Sequence, residues 1–114
     1  MSQPALDVNA FAEMKELMGD SFKDIISLCL QSLPEQLTDI ESAIKNQNAE
    51  TLFSVSHKMK SSCGSIGAFG LAEKAEVIEV ISRNGSAEIP EPAISDLRDA
   101  TGRVLSILKT EINN

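Results

Sequence analysis

The feature of this sequence that most restricts its fold is the recurrence of apolar residues every three or four positions along almost the whole chain. This spacing collects apolar side chains on one face of an α-helix, whereas a half-buried β-strand needs apolar and polar residues in alternation. No alternating run rich in Val, Ile and aromatic residues occurs in the sequence. We therefore predict an all-α protein.

The apolar pattern and the residues that cap helices divide the chain into five predicted helices. They cover residues 7–18, 21–46, 49–65, 70–84 and 90–111. Asp7 is suited to the N-cap position at the start of a helix, and Gly19 is suited to the position just after a helix end. Pro34 lies inside the second helix, but the apolar spacing continues in phase through it, which predicts a single bent helix. Short connections of about two to six residues favour antiparallel neighbours. The predicted fold is an up-and-down antiparallel four-helix bundle with a short accessory N-terminal helix.

Length and charge narrow the classes of function. A chain of 114 residues suits one domain, residues 1–114, and the net charge of −7 without a basic stripe argues against a nucleic-acid partner. No stretch approaches the roughly 18 consecutive apolar residues of a membrane helix, and the first residues lack the pattern of a signal peptide. We therefore expect a cytoplasmic protein without a membrane partner. Cys29 and Cys63 lack CxxC spacing, which predicts buried free thiols and no metal site.

The single histidine, His57, lies in the third predicted helix. With that helix drawn at about 100° per residue, Val55, Met59 and Ile66 fall within about 20° of the pole opposite His57. The histidine is therefore predicted to point away from the core. An exposed polar residue usually has no function of its own, so the neighbours of His57 must indicate whether it has one.

Four residues share the predicted outward face of His57. Phe53, Lys60, Ser61 and Gly64 all fall within about 60° of it on the same helix. An aromatic residue one turn before the histidine and small residues after it form a shallow platform that another protein can approach. A neutral imidazole has a lone pair that can attack phosphorus, and Lys60 can offset part of the negative charge of a phosphoryl group.

The segment from His57 to Ala68, HKMKSSCGSIGA, resembles the signature of histidine-containing phosphotransfer domains. The residues that match the signature are His57, Met59, Lys60, Ser62, Ile66, Gly67 and Ala68. The resemblance also includes Gly19-Asp20, the proline in the second helix, and the stretch 71–79 in the fourth. It therefore extends over essentially the whole chain.

The resemblance implies a role in a two-component phosphorelay. In that role His57 carries the phosphoryl group on Nε2, Lys60 stabilises its charge, and the partners are response-regulator receiver domains and a hybrid sensor kinase. Further expected partner contacts are Phe53, Ser61, Gly64 and Glu79. The family commonly has glycine at the position of Ser61, so this serine is expected to affect partner preference or rate.

The sequence lacks the motifs of an autonomous kinase. It has no GxxxxGK[ST] loop, no glycine-rich nucleotide motif and no acidic triad for magnesium. We expect a monomeric phosphocarrier that is not an enzyme and has no cofactor of its own, with Mg²⁺ on the partner receiver domain. An alternative stays open, in which the chain is a helical adaptor and His57 is an incidental surface residue.

Overall fold

The computed structural model describes residues 3–113, and this part of the chain folds into five α-helices without a β-strand. The helices are α1 (Val8–Met18), α2 (Ser21–Lys45), α3 (Ala49–Ser65), α4 (Phe69–Arg83) and α5 (Glu91–Ile112). The all-α prediction is confirmed, and each observed helix end lies within one residue of its predicted position.

The helix ends follow the capping chemistry of the sequence. The Asp7 side chain accepts hydrogen bonds from the backbone N–H groups of Asn9 and Ala10, both at 3.0 Å, so it caps α1. Gly19 ends α1 with a φ of 57°, a left-handed conformation that glycine adopts without steric cost. Pro34 lies within α2, which continues through it as predicted.

The four long helices enclose one apolar core. The third helix packs against α2 and α4, the fifth packs against the same two helices, and α1 lies against α2. Consecutive long helices are therefore neighbours joined by the segments 46–48, 66–68 and 84–90, which fits the predicted up-and-down order. The largest fully buried side chains are Phe22, Ile26, Leu33, Ile40, Leu52, Met59, Ile66, Leu71, Ile78, Leu97, Leu108 and Glu79.

The segment before α1 crosses the start of α4. Asp7 donates its backbone N–H to the Gly67 carbonyl at 2.8 Å, and Leu71 donates to the Ala5 carbonyl at 3.2 Å. A Cβ atom on Gly70 would overlap the backbone carbonyl of Pro4. A residue without a side chain is therefore required at position 70 for this close approach.

The two cysteines are buried and free, as predicted. Burial raises the pKa of the Cys63 thiol to about 12, with a smaller contribution from Cys29, so both thiols are protonated at neutral pH. Across residues 3–113, no helix is both long and apolar enough to span a membrane. Within the same range, no group of three or more His, Cys, Asp and Glu residues is arranged to hold a metal ion.

Candidate functional site

The site is built on α3, whose roll about its axis is determined by buried residues. Leu52, Ser56, Met59 and Cys63 face the core, and the Ser56 hydroxyl donates to the Leu52 carbonyl at 2.7 Å. His57 consequently projects outward, and its side chain is 55% exposed. The predicted outward orientation of the histidine is confirmed.

Glu79 of α4 lies beneath the histidine. Its Oε2 atom is 2.8 Å from His57 Nδ1, and its side chain is only 2% exposed. A carboxylate only accepts hydrogen bonds, so the proton of the imidazole must lie on Nδ1 and be donated to Glu79. The lone pair of the neutral imidazole is therefore on Nε2, at the opposite edge of the ring.

Lys60 lies one turn after His57 and neutralises the other oxygen of the same carboxylate. Its Nζ atom is 2.7 Å from Glu79 Oε1. The Lys60 ammonium lowers the pKa of the Glu79 carboxyl, His57 lowers it further, and together they outweigh the opposite effect of burial. Glu79 is therefore ionised at neutral pH. The Lys60–Glu79 ion pair joins α3 to α4 directly below the exposed imidazole.

Phe53 and Arg83 complete the surroundings of the imidazole. The Phe53 ring lies 6.1 Å from the His57 ring, centroid to centroid, with 20° between the planes. The guanidinium carbon of Arg83 lies 5.9 Å from the Phe53 centroid, and Arg83 Nη2 is 3.4 Å from Glu79 Oε2. Phe53 therefore stacks beside the imidazole, and Arg83 contacts both Phe53 and Glu79.

The structure brings most of the predicted site residues together on one surface. Ser61 and Gly64 are exposed on the outward side of α3. A Cβ atom on Gly64 would meet no neighbouring element within 4 Å, so the surface beyond the histidine is open. With Phe53 and His57, these two residues form what we call the α3 platform.

Two residues of α4 lie near His57. Glu79, a predicted partner contact, is buried because its carboxylate turns inward to bind His57 and Lys60, and its contact with a partner stays a prediction. Arg83 was overlooked in the sequence. Its position four residues after Glu79 was the available signal, since side chains at this spacing meet on one helix face.

Comparisons with known proteins agree with this geometry. A family model described as the Hpt domain matches residues 24–107. The chain belongs to the Hpt domain family. The matched range includes the histidine, the lysine and the buried glutamate of the site. Membership of this family supports histidine phosphotransfer in a two-component phosphorelay as the function of the chain.

Proteins with a similar sequence include a histidine kinase that contains a segment resembling this Hpt domain. The signal transduction histidine-protein kinase BarA, from Shigella flexneri and from Escherichia coli strain K12, is 30% identical to it over 86 residues. That alignment covers 75% of this chain but 9% of the kinase, so the chain spans a small part of these relatives.

Two solved structures share the fold. Histidine-containing phosphotransfer protein B from Pseudomonas aeruginosa PAO1 has a TM-score of 0.86 at 23% identity, over 98% of this chain and 97% of that one. The HPT domain of a Shewanella sensor hybrid histidine kinase has a TM-score of 0.79 at 22% identity, over 96% and 94%.

Proposed function

We propose that this Hpt domain carries a phosphoryl group on Nε2 of His57 and exchanges it with the aspartates of receiver domains. The observation that carries the proposal is the 2.8 Å contact between His57 Nδ1 and the buried Glu79 carboxylate. This contact leaves the nucleophilic nitrogen unprotonated and directed outward.

The transfer step makes direct use of Glu79. Nε2 attacks the phosphorus of an aspartyl phosphate, an N–P bond forms, and the P–O bond breaks as the aspartate carboxylate leaves with the electron pair. The imidazole keeps its Nδ1 proton and therefore gains a positive charge. The ionised Glu79, already hydrogen-bonded to Nδ1, stabilises that charge as it develops. In the reverse direction the same contact favours a protonated ring, which is the better leaving group.

The remaining charge of the reaction is on the phosphoryl oxygens. Lys60 is the cation of α3 closest to the Glu79–His57 pair, so it is the side chain suited to offset that charge. In receiver domains an aspartate, a lysine and a bound Mg²⁺ are expected to supply most of the charge stabilisation. The proposal therefore needs no cofactor in this chain and no kinase activity of its own.

The α3 platform is the proposed docking surface for a receiver domain. Phe53 is half-buried, and Ser61 and Gly64 are small and exposed, so a receiver loop can approach His57 closely. Ser61, in place of the glycine usual in the family, narrows this approach and is expected to affect which receivers are used. The proposal further places the domain in the cytoplasm as a monomer that serves a hybrid sensor kinase. The net charge of −7 supports the exclusion of nucleic acid from its partners.

Phosphate labelling tests the proposal. The chain is incubated with phosphorylated receiver domains and, separately, with phosphoramidate, which transfers phosphate to histidine without a protein donor. We expect an acid-labile, base-stable phosphate that is absent in His57→Gln and present in Lys58→Gln, a control at an exposed neighbour on α3. If the wild-type chain takes up no phosphate from either donor, the phosphocarrier proposal is wrong and the adaptor alternative is favoured.

A further inference from the structure

Glu79 has three positively charged or proton-donating neighbours, and one of them is held loosely. Lys60 lies 2.7 Å from one oxygen and His57 lies 2.8 Å from the other, both at the distances of charge-assisted hydrogen bonds. Arg83 lies 3.4 Å from the second oxygen, and its side chain is 56% exposed. In the unphosphorylated site, Lys60 and His57 therefore bind the Glu79 carboxylate closely, whereas Arg83 binds it only weakly.

Phosphorylation of His57 changes what Lys60 can bind. The phosphoryl group is expected on Nε2, at the edge of the imidazole opposite Glu79, while the Lys60 ammonium lies against Glu79. An added group with close to two negative charges attracts the nearest ammonium strongly. Lys60 is 31% exposed, so its side chain has room to move toward the phosphoryl oxygens. Such movement would leave Glu79 Oε1 without its cation.

Loss of Lys60 from this buried carboxylate is costly in free energy, because Oε1 is then neither solvated nor paired, while Oε2 still accepts the Nδ1 hydrogen bond. Arg83 is positioned to prevent this. Its guanidinium lies above the Phe53 ring and needs to move only a few tenths of an ångström to reach ordinary hydrogen-bond distance from Glu79 Oε2, next to the oxygen that Lys60 would leave. A guanidinium also presents several N–H groups in one plane, so it can bind both carboxylate oxygens.

We propose that Arg83 is a positioning residue that takes the place of Lys60 on Glu79 when His57 becomes phosphorylated. The exchange frees Lys60 for the phosphoryl oxygens and keeps Glu79 ionised against Nδ1. This inference rests on the proposed function, because it requires a phosphoryl group on His57. In the unphosphorylated protein, Arg83 makes only a long contact with Glu79, and the proposed role belongs to the phosphorylated state.

Side-chain NMR tests the exchange. The ¹⁵N-labelled full chain is observed before and after reaction with phosphoramidate at slightly alkaline pH, where phosphohistidine persists. We expect the Arg83 Nε–H to become more protected from exchange with water and the Lys60 Nζ signal to shift. Unchanged Arg83 and Lys60 signals in a protein whose His57 is phosphorylated would overturn the exchange alone. Failure of the wild-type chain to be phosphorylated would overturn both this inference and the proposed function.

Variants provide a second readout that a purely structural role would not produce. Urea unfolding midpoints are compared for unmodified and phosphorylated protein in Arg83→Gln, Arg83→Lys and Arg103→Gln, the last an exposed control on α5. We expect Arg83→Gln to lower the midpoint clearly more in the phosphorylated form, and Arg83→Lys to restore part of the difference. Arg103→Gln should shift both forms equally. Equal shifts of both forms in Arg83→Gln would contradict the exchange.

Discussion

Glu79 Oε2 lies 2.8 Å from His57 Nδ1, so a buried carboxylate of α4 holds the exposed imidazole of α3. The contact determines which ring nitrogen keeps the proton and which one can attack phosphorus. It also places a negative charge where the ring becomes positive during transfer. We therefore expect the reactivity of the histidine to depend on a residue that is itself buried.

Replacement of Glu79 by glutamine tests this dependence. An amide can still accept the Nδ1 hydrogen bond, but it has no charge with which to stabilise the developing imidazolium. We expect the rate of His57 phosphorylation by phosphoramidate to fall about tenfold, which corresponds to about 1.4 kcal/mol. Glu76→Gln, an exposed change on the same helix, is the matched control and should retain the wild-type rate. Equal rates in wild type and Glu79→Gln would show that Glu79 only occupies space.

Acid should destabilise the fold through the same carboxyl group. Lys60 holds the pKa of Glu79 below its ordinary value of 4.5, so the ionised group stabilises the native state fully above that pH. As the pH falls from there through the lowered pKa, the native carboxylate binds a proton and this stabilisation is lost. The free energy of unfolding, from urea titrations across this acid range, should fall more steeply in wild type than in Glu79→Gln. Identical pH dependence in the two proteins would contradict this assignment.

Helix periodicity was sufficient to predict the fold, because the apolar stripe, Asp7 and Gly19 are local signals read within a few residues. The outward orientation of His57 followed from the same periodicity. The inward turn of Glu79 did not, because it depends on how α4 packs against α3. A helical wheel shows which face a residue occupies but not which neighbouring helix covers it, and the contact of Arg83 with Phe53 of α3 could not be predicted for the same reason.

Replacement of glycine by alanine is expected to have opposite effects on the free energy of unfolding at two positions. Gly64 lies inside α3 with open space around it, so Gly64→Ala should raise the free energy of unfolding by about 0.5–1 kcal/mol through helix propensity. Gly70→Ala should lower it by about 1–3 kcal/mol, because the new methyl group overlaps the backbone of Pro4. Urea unfolding measures both values. A stabilising Gly70→Ala would mean that the segment before α1 does not pack across α4 as described.

The atom that becomes phosphorylated tests the proposed roles of His57 and Glu79 most directly. Two-dimensional ¹H–¹⁵N NMR of the histidine-labelled chain, with ³¹P coupling, identifies which imidazole nitrogen is bonded to phosphorus after reaction with a phosphodonor. We expect phosphorus on Nε2 of His57, with a proton retained on Nδ1 beside Glu79. Phosphorus on Nδ1, or on any residue other than His57, would contradict the proposed phosphocarrier mechanism.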